Sequence, residues 1–271
     1  MTQYLWLVPM GFLIGAYGTL IGAGGGFVLV PFLLLVYPHD SPETITSISL
    51  AVVFFNALSG TAAYARAGRV DYRSGLLFSI ATVPGAVLGA LTTAYIPRRP
   101  FDAAFGVAMI AVAVFLVFRP VKRERAESSK ARRGFLRRII DAEGRLHTYS
   151  YDPKLGVGLS FFVGYVSSLS GTGGGPIHVP VLTYLLDFPV HIATATSHFT
   201  IAIMAFTGTL VHIATGAFYH GVRRTLLLSI GVLLGAQLGA YLSRRVQGIW
   251  IIRGLAIAMG IIGIRLLLTV F

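Results

Sequence analysis

The chain has 271 residues, of which 55% are apolar and 12% charged, with a formal net charge of +12. Ordinary soluble domains carry about 25% charged residues, so a water-soluble fold is excluded by composition. The basic residues sit at the ends of apolar tracts and in one long loop, which reads as topology and contact with membrane lipid headgroups rather than as a nucleic-acid surface. With no cysteine, the chain has no disulfides, no thiolate catalysis and no Cys-ligated metal.

Taken in chain order, the apolar tracts are 5–21, 27–37, 44–65, 74–96, 101–118, 155–170, 176–186, 192–215, 225–243 and 248–270. A helical span needs about 20 such residues, and lipid-buried backbone must pair within its own segment. No alternation of period two suggests a barrel. The expected fold is therefore an all-α integral membrane protein, a polytopic helical bundle of about 8–10 membrane helices. The opening MTQYLWLVPMGFLIG lacks a basic start and runs straight into a Gly-rich motif, so it reads as retained structure rather than a secretory signal.

The chain is built twice. GAYGTLIGAGGGFVLVPFL at 15–33 matches GYVSSLSGTGGGPIHVPVL at 164–182 without a gap. Further on, Thr46-Ser47 is set against Thr196-Ser197, Ser59-Gly60-Thr61 against Thr207-Gly208-Thr209, Gly68 against Gly216, and GAVLGA at 85–90 against GAQLGA at 235–240. The expected organisation is a first transmembrane repeat, 1–118, a basic cytoplasmic linker, 119–154, and a second transmembrane repeat, 155–271. Within the linker, Glu143-Gly144 flanked by alternating apolar residues marks a small hairpin.

Arg66, Arg69 and Arg73 place loop 66–73 on the side of the linker and the acidic loop 38–43 on the other. In the second half, Arg223 and Arg224 balance Arg244 and Arg245, so charge does not decide between inverted and parallel repeats. The inverted arrangement is preferred because it recurs where a transport site lies at mid-membrane.

The helical pattern fails twice, at Gly22-Ala23-Gly24-Gly25-Gly26 and at Gly171-Thr172-Gly173-Gly174-Gly175. Glycine in a helix interior costs roughly 1 kcal/mol relative to alanine, so three in a row mark a break. Close helix packing explains Gly11 with Gly15, or Gly85 with Gly89, but needs one face and not consecutive residues. A short segment restarts after each break, with Pro176 suited to a first helical position. Its unpaired N–H groups and dipole favour an anion. Gly24, Gly25 and Gly26 with Gly173, Gly174 and Gly175 are the candidate substrate-binding backbone.

All ten acidic residues fall in loops or at tract ends, whereas a cation path or acid relay would need one at mid-membrane. The spans hold neutral donors instead: Thr46, Ser47, Ser49, Asn56, Ser59, Thr61, Ser170, Thr172, Thr196, Ser197, Thr200, Thr207, Thr209 and Gln237. Of these, Thr46, Ser47, Thr172, Thr196 and Ser197 join the candidate site. His178, His191, His198 and His212 cluster in the second half without counterparts in the first. His198, next to Ser197, is the candidate for an anion-pairing or titrating group, so protons as a coupling ion would act through it. Zinc is not supported, since the spacings are wide and no acid or cysteine assists.

The doubled Gly-rich motif closed by Pro31 and Pro180, each followed by a Thr-Ser pair, resembles the sulfite exporter TauE/SafE-type permease family over both halves. The resemblance implies a secondary transporter of small sulfur-containing anions, such as sulfite, thiosulfate or organosulfonates, in the bacterial inner membrane. Its motif falls on Gly22, Gly24, Gly25, Gly26 and Pro31, and on Gly171, Gly173, Gly174, Gly175 and Pro180. Phe27 against Pro176 breaks the symmetry. No cofactor, metal or enzymatic activity is implied.

The expected mechanism binds a small anionic substrate between the broken helices and exposes it alternately by rocking one repeat against the other. An anion channel or uniporter would use the same residues. An intramembrane hydrolase would need Ser170 or Ser197 beside a histidine and usually a third orienting group, and the spans hold no carboxylate for that role.

Overall fold

The computed structural model describes residues 4–118 and 134–270, and the basic stretch 119–133 of the linker lies outside the described residues. The first half runs α1 (Leu7–Leu20), α2 (Gly26–Val36), α3 (Pro42–Arg66), α4 (Tyr72–Thr93) and α5 (Arg98–Phe118). A two-stranded hairpin follows, β1 (Phe135–Ile140) and β2 (Leu146–Tyr151). The second half runs α6 (Pro153–Ser170), α7 (Gly175–Pro180), α8 (Val190–Ala214), α9 (Val222–Ser243) and α10 (Gly248–Val270).

Six helices, α3, α4, α5, α8, α9 and α10, are long and apolar enough to cross a membrane. The chain is an all-α polytopic membrane protein. Ten helices lie among the described residues, in keeping with the expected figure of about 8–10, and the four not counted as spans, α1, α2, α6 and α7, flank the glycine breaks. α1 has 14 residues and α2 has 11. α7 has six and passes into a π turn at Val181–Leu185, where the Leu186 amide donates to the Val181 carbonyl at 3.2 Å. Pro180 has no N–H to continue the α-helical ladder, which accounts for the changed spacing.

Local chemistry sets the helix starts. The Ser41 hydroxyl accepts from the Thr44 amide at 3.2 Å, Asp71 from the Ser74 amide at 3.2 Å, and Asp152 from the Lys154 amide at 2.9 Å. Pro42 and Pro153 occupy first helical positions, where a missing donor costs nothing.

The two broken pairs double back on themselves. The Trp6 ring, at the start of α1, lies 5.8 Å from the Phe32 ring in the later part of α2. A Cβ on Gly156, early in α6, would stand 3.4 Å from Leu186 Cδ1, just past the π turn. Arg98, opening α5, donates to the carbonyls of Leu34, Pro38 and Asp40 at 2.6, 2.8 and 2.9 Å. The start of α5 and the α2–α3 junction therefore share one end of the bundle.

Packing crosses between the halves. α1 lies on α9 and α6 on α4, while α3 pairs with α8 and α5 with α10. A Cβ on Gly15 would lie 2.7 Å from Val232 Cα, and one on Gly164 would lie 3.0 Å from Thr82 Cα. Glycine lets these backbones touch, as small residues do in membrane interfaces.

The hairpin pairs Phe135 with Tyr151 through to Ile140 with Leu146. It caps the α3–α4 junction, where Asp71 is 1% exposed. Arg137 Nη2 donates to Asp71 at 2.6 Å, the Tyr149 hydroxyl at 2.7 Å and the Ser74 hydroxyl at 2.6 Å. Burial works to raise the Asp71 pKa, but Arg137, Ser74 and Tyr149 outweigh it and hold the carboxyl below the usual range.

At the hairpin turn, burial also works against ionised Asp141. The Arg145 amide at 2.8 Å, His147 Nε2 at 3.2 Å and the Arg145 guanidinium at 3.0 Å outweigh it, bringing the pKa to about 2. A folded value below the ordinary 3.8 gives stability that is complete above that pH and lost as pH falls through about 2. The protection factor of the Arg145 amide in hydrogen exchange should accordingly drop between about pH 4 and pH 2. Asp141→Asn should show the lower protection already at neutral pH.

Candidate functional site

The glycine breaks are turns. Gly22, Gly24 and Gly25 take φ of 78°, 70° and 82°, and Gly171, Gly173 and Gly174 take 70°, 77° and 84°. This left-handed region is open to glycine and strained for other residues, so the sequence GxGG is what lets the chain reverse. Gly25 and Gly174 are the residues preceding α2 and α7.

The turns meet back to back. A Cβ on Gly26 would stand 2.5 Å from the Thr172 carbonyl oxygen, and one on Gly175 would overlap the Ala23 backbone. Residues 21–27 and 171–176 are all buried. Among the described residues, the amides of Gly25, Gly26 and Phe27 have no hydrogen-bond acceptor, nor do those of Gly173, Gly174 and Gly175. Buried orphan amides are rare in folded proteins, which makes two such groups facing one crossing a chemical feature in its own right.

The side chains divide into those near the turns and those spent elsewhere. The Thr46 hydroxyl donates to the Glu43 carbonyl at 3.1 Å and the Ser47 hydroxyl to the Thr44 carbonyl at 2.7 Å, both within their own helix. Thr196 accepts from the Asp71 amide at 3.1 Å, at the hairpin end of the bundle. The Thr172 hydroxyl pairs with Ser170 at 3.0 Å, inside the second turn. Ser197 lies 3.2 Å from His178 Nδ1. His198 Nε2 lies 3.3 Å from the Thr19 hydroxyl, which donates to Asn56 Oδ1 at 3.1 Å.

The register of the Thr-Ser pairs is corrected. α3 and α8 both run 25 residues from Pro42 and Val190, which sets Thr46 opposite Thr194 and Ser49 opposite Ser197. Contacts agree: a Cβ on Gly171 would meet Thr46 Cα at 2.9 Å, and one on Gly22 would meet Thr194 Cα at 3.0 Å. Counted from Gly26 and Gly175, α3 begins one residue later than α8 does, and the structural match stands two residues from the one read in sequence.

Thr19 and Asn56 are the site neighbours that sequence reading left without a role. Asn56 is fully buried, and its Nδ2 has no hydrogen-bond partner. The Tyr64 hydroxyl donates to the Thr19 carbonyl at 2.6 Å and its ring stands edge-on to His198 at 5.5 Å. An apolar groove lined by Ala111, Val112, Phe115, Ile177, Pro180, Val181 and Leu185 stands apart from the turns.

Six helices of spanning length, with two buried glycine turns packed back to back, make this a multi-pass membrane protein. Residues 7–266 match the family model described as sulfite exporter TauE/SafE, and the chain belongs to that family. It is 34% identical to the probable membrane transporter protein YunE of Bacillus subtilis (strain 168), covering 98% of this chain and 97% of the relative. A probable membrane transporter protein of Methanocaldococcus jannaschii is 23% identical over 98% of this chain and 97% of its own length. The B. subtilis protein YdhB, also a probable membrane transporter, is 25% identical over 86% of each chain. No solved structure matches the chain.

The crossing of the turns gives a stability prediction. Gly175→Ala drives a methyl group into the Ala23 backbone, and such overpacking costs about 1–3 kcal/mol. Gly158→Ala, inside α6 where a Cβ meets nothing within 4 Å, should not lower stability and should raise it by up to about 1 kcal/mol. Thermal unfolding of the two variants in detergent checks the contrast.

Proposed function

We propose that the protein is a secondary transporter of a small sulfur-containing oxyanion, of the class of sulfite, thiosulfate or an organosulfonate, with its site at the paired turns. The observation that carries this reading is the set of buried amides at Gly25–Phe27 and Gly173–Gly175 that no acceptor satisfies. Buried N–H groups at helix starts favour a negatively charged guest. Discontinuous helices that meet where two repeats join are the common architecture of transport sites.

The two halves are read as inverted repeats. Each turns through three full-length helices and one re-entrant pair, an odd number of crossings. The antiparallel contact of α5 with α10, Gly106 lying against Gly263 and Ala113 against Gly260, agrees with that count. The basic side, with the hairpin and Arg66, Arg69 and Arg73, is placed in the cytoplasm of a bacterial inner membrane. Proton coupling, if the cycle uses it, is assigned to His198.

A hydrolase is less well supported. Ser197 and His178 lie within hydrogen-bond reach, but His178 Nε2 has no partner and so no group to orient it. A channel differs from a carrier in kinetics and not in residues.

In proteoliposomes, labelled sulfite or thiosulfate should accumulate by counterflow and saturate with concentration. Gly25→Leu and Gly174→Leu should insert normally and abolish that flux. Flux linear in concentration without counterflow would reassign the protein as a channel, and no flux of any oxyanion would sink the reading.

A further inference from the structure

The two turns share a backbone but not a lining. At the first turn, Asn56 Nδ2 lies 3.7 Å from the place a Cβ on Gly25 would take, is fully buried and has no partner. Its amide oxygen is engaged by a neighbour. Thr19 Oγ1 donates to Asn56 Oδ1 at 3.1 Å, and a hydroxyl carries one proton. The other contact of Thr19, His198 Nε2 at 3.3 Å, must therefore be a donor. The chain of donors runs from His198 through Thr19 to the amide oxygen of Asn56, and leaves the amide nitrogen, a donor only, beside Gly25, where the run of orphan N–H groups begins.

The second turn has Met204 where the first has Asn56, with Met204 Cε 3.3 Å from a Cβ on Gly174. Ser167 Oγ also comes within 2.9 Å of that position and is unpartnered. A serine hydroxyl on a helix can rotate to donate to a carbonyl one turn back, as Ser170 does to Val166 at 2.8 Å. The Asn56 amide has no such outlet.

We propose that recognition is one-sided: the first glycine turn is the anion-binding site, Asn56 is its side-chain donor, and His198 is a positioning residue that acts through Thr19. This rests on the transport reading above, and adds that the second turn contributes fit.

The test is equilibrium binding of labelled sulfite and thiosulfate to the purified full-length protein in detergent, with thermal stability measured on each sample. Asn56→Leu and Asn56→Asp should each lose about ten- to a hundred-fold in affinity, the size of one hydrogen bond to a charged group. Ser167→Ala should stay within about threefold, because its hydroxyl has an alternative acceptor. His198→Gln keeps a donor to Thr19 and should retain affinity, whereas His198→Leu should lose it, a contrast that loss of packing would not produce. Should both Asn56 variants fail to fold, that His198 contrast decides, and equal affinities overturn the proposal. Wild-type affinity in a folded Asn56 variant, or a loss in Ser167→Ala alone, overturns it while leaving the transport reading in place. A wild-type protein that binds neither anion brings down both.

Discussion

The structure depends on the crossing of two peptide turns at the centre of a membrane protein, where Gly26 lies against the Thr172 carbonyl and Gly175 against the Ala23 backbone. Backbones can approach so closely only without side chains, and each turn can reverse only through left-handed φ. Six glycines supply the left-handed φ and two more, Gly26 and Gly175, supply the close approach. The same geometry strips the first amides of α2 and α7 of their usual partners. Closeness of fit and chemical need are thus consequences of one contact.

That contact is symmetric in backbone and asymmetric in side chains. Leu50 stands where the other half has His198, and Met204 where the other has Asn56, as the register of α3 with α8 requires. A duplicated fold needs only its glycines and prolines in both copies to keep its shape. Everything that merely lines the turn is free to differ, and here the amide and imidazole both belong to the first turn although His198 comes from the second half.

Much of this architecture was legible in the chain, and for physical reasons. Consecutive glycines in an apolar tract have no packing explanation, so the breaks stood out, and the Glu143-Gly144 turn between alternating residues gave the hairpin that is found at 135–151. What remained hidden depends on distance in space. Asn56 was one neutral residue among many in the spans, and nothing along the chain shows that its amide nitrogen faces Gly25. The pairing of Thr46-Ser47 with Thr196-Ser197 was misleading because two identical dipeptides outweighed a small difference in loop length. Thr196 and Ser47 show the same limit: a hydroxyl that suits an anion equally suits a neighbouring backbone group, and here both are taken.

The packing also bears on how the turns could open. Rocking the repeats as rigid bodies would pull α1 from α9 and α4 from α6, since each of these pairs joins one half to the other. Those are the interfaces in which Gly15, Gly85, Gly89, Gly164, Gly235 and Gly239 bring backbones into contact, and close packing of this kind separates only at the loss of many dispersion contacts at once. α5 and α10 instead form a pair of their own, lying against α7 and α2, and α10 meets α1 through a side chain, Tyr17 donating to the Gly254 carbonyl at 2.8 Å. Side-chain contacts can shift rotamers and slide where touching backbones cannot. On this packing, the motion that breaks the fewest backbone contacts keeps α1 with α9 and α4 with α6 and draws on the α5–α10 pair, a cost set by where the glycines are rather than by where the duplication falls.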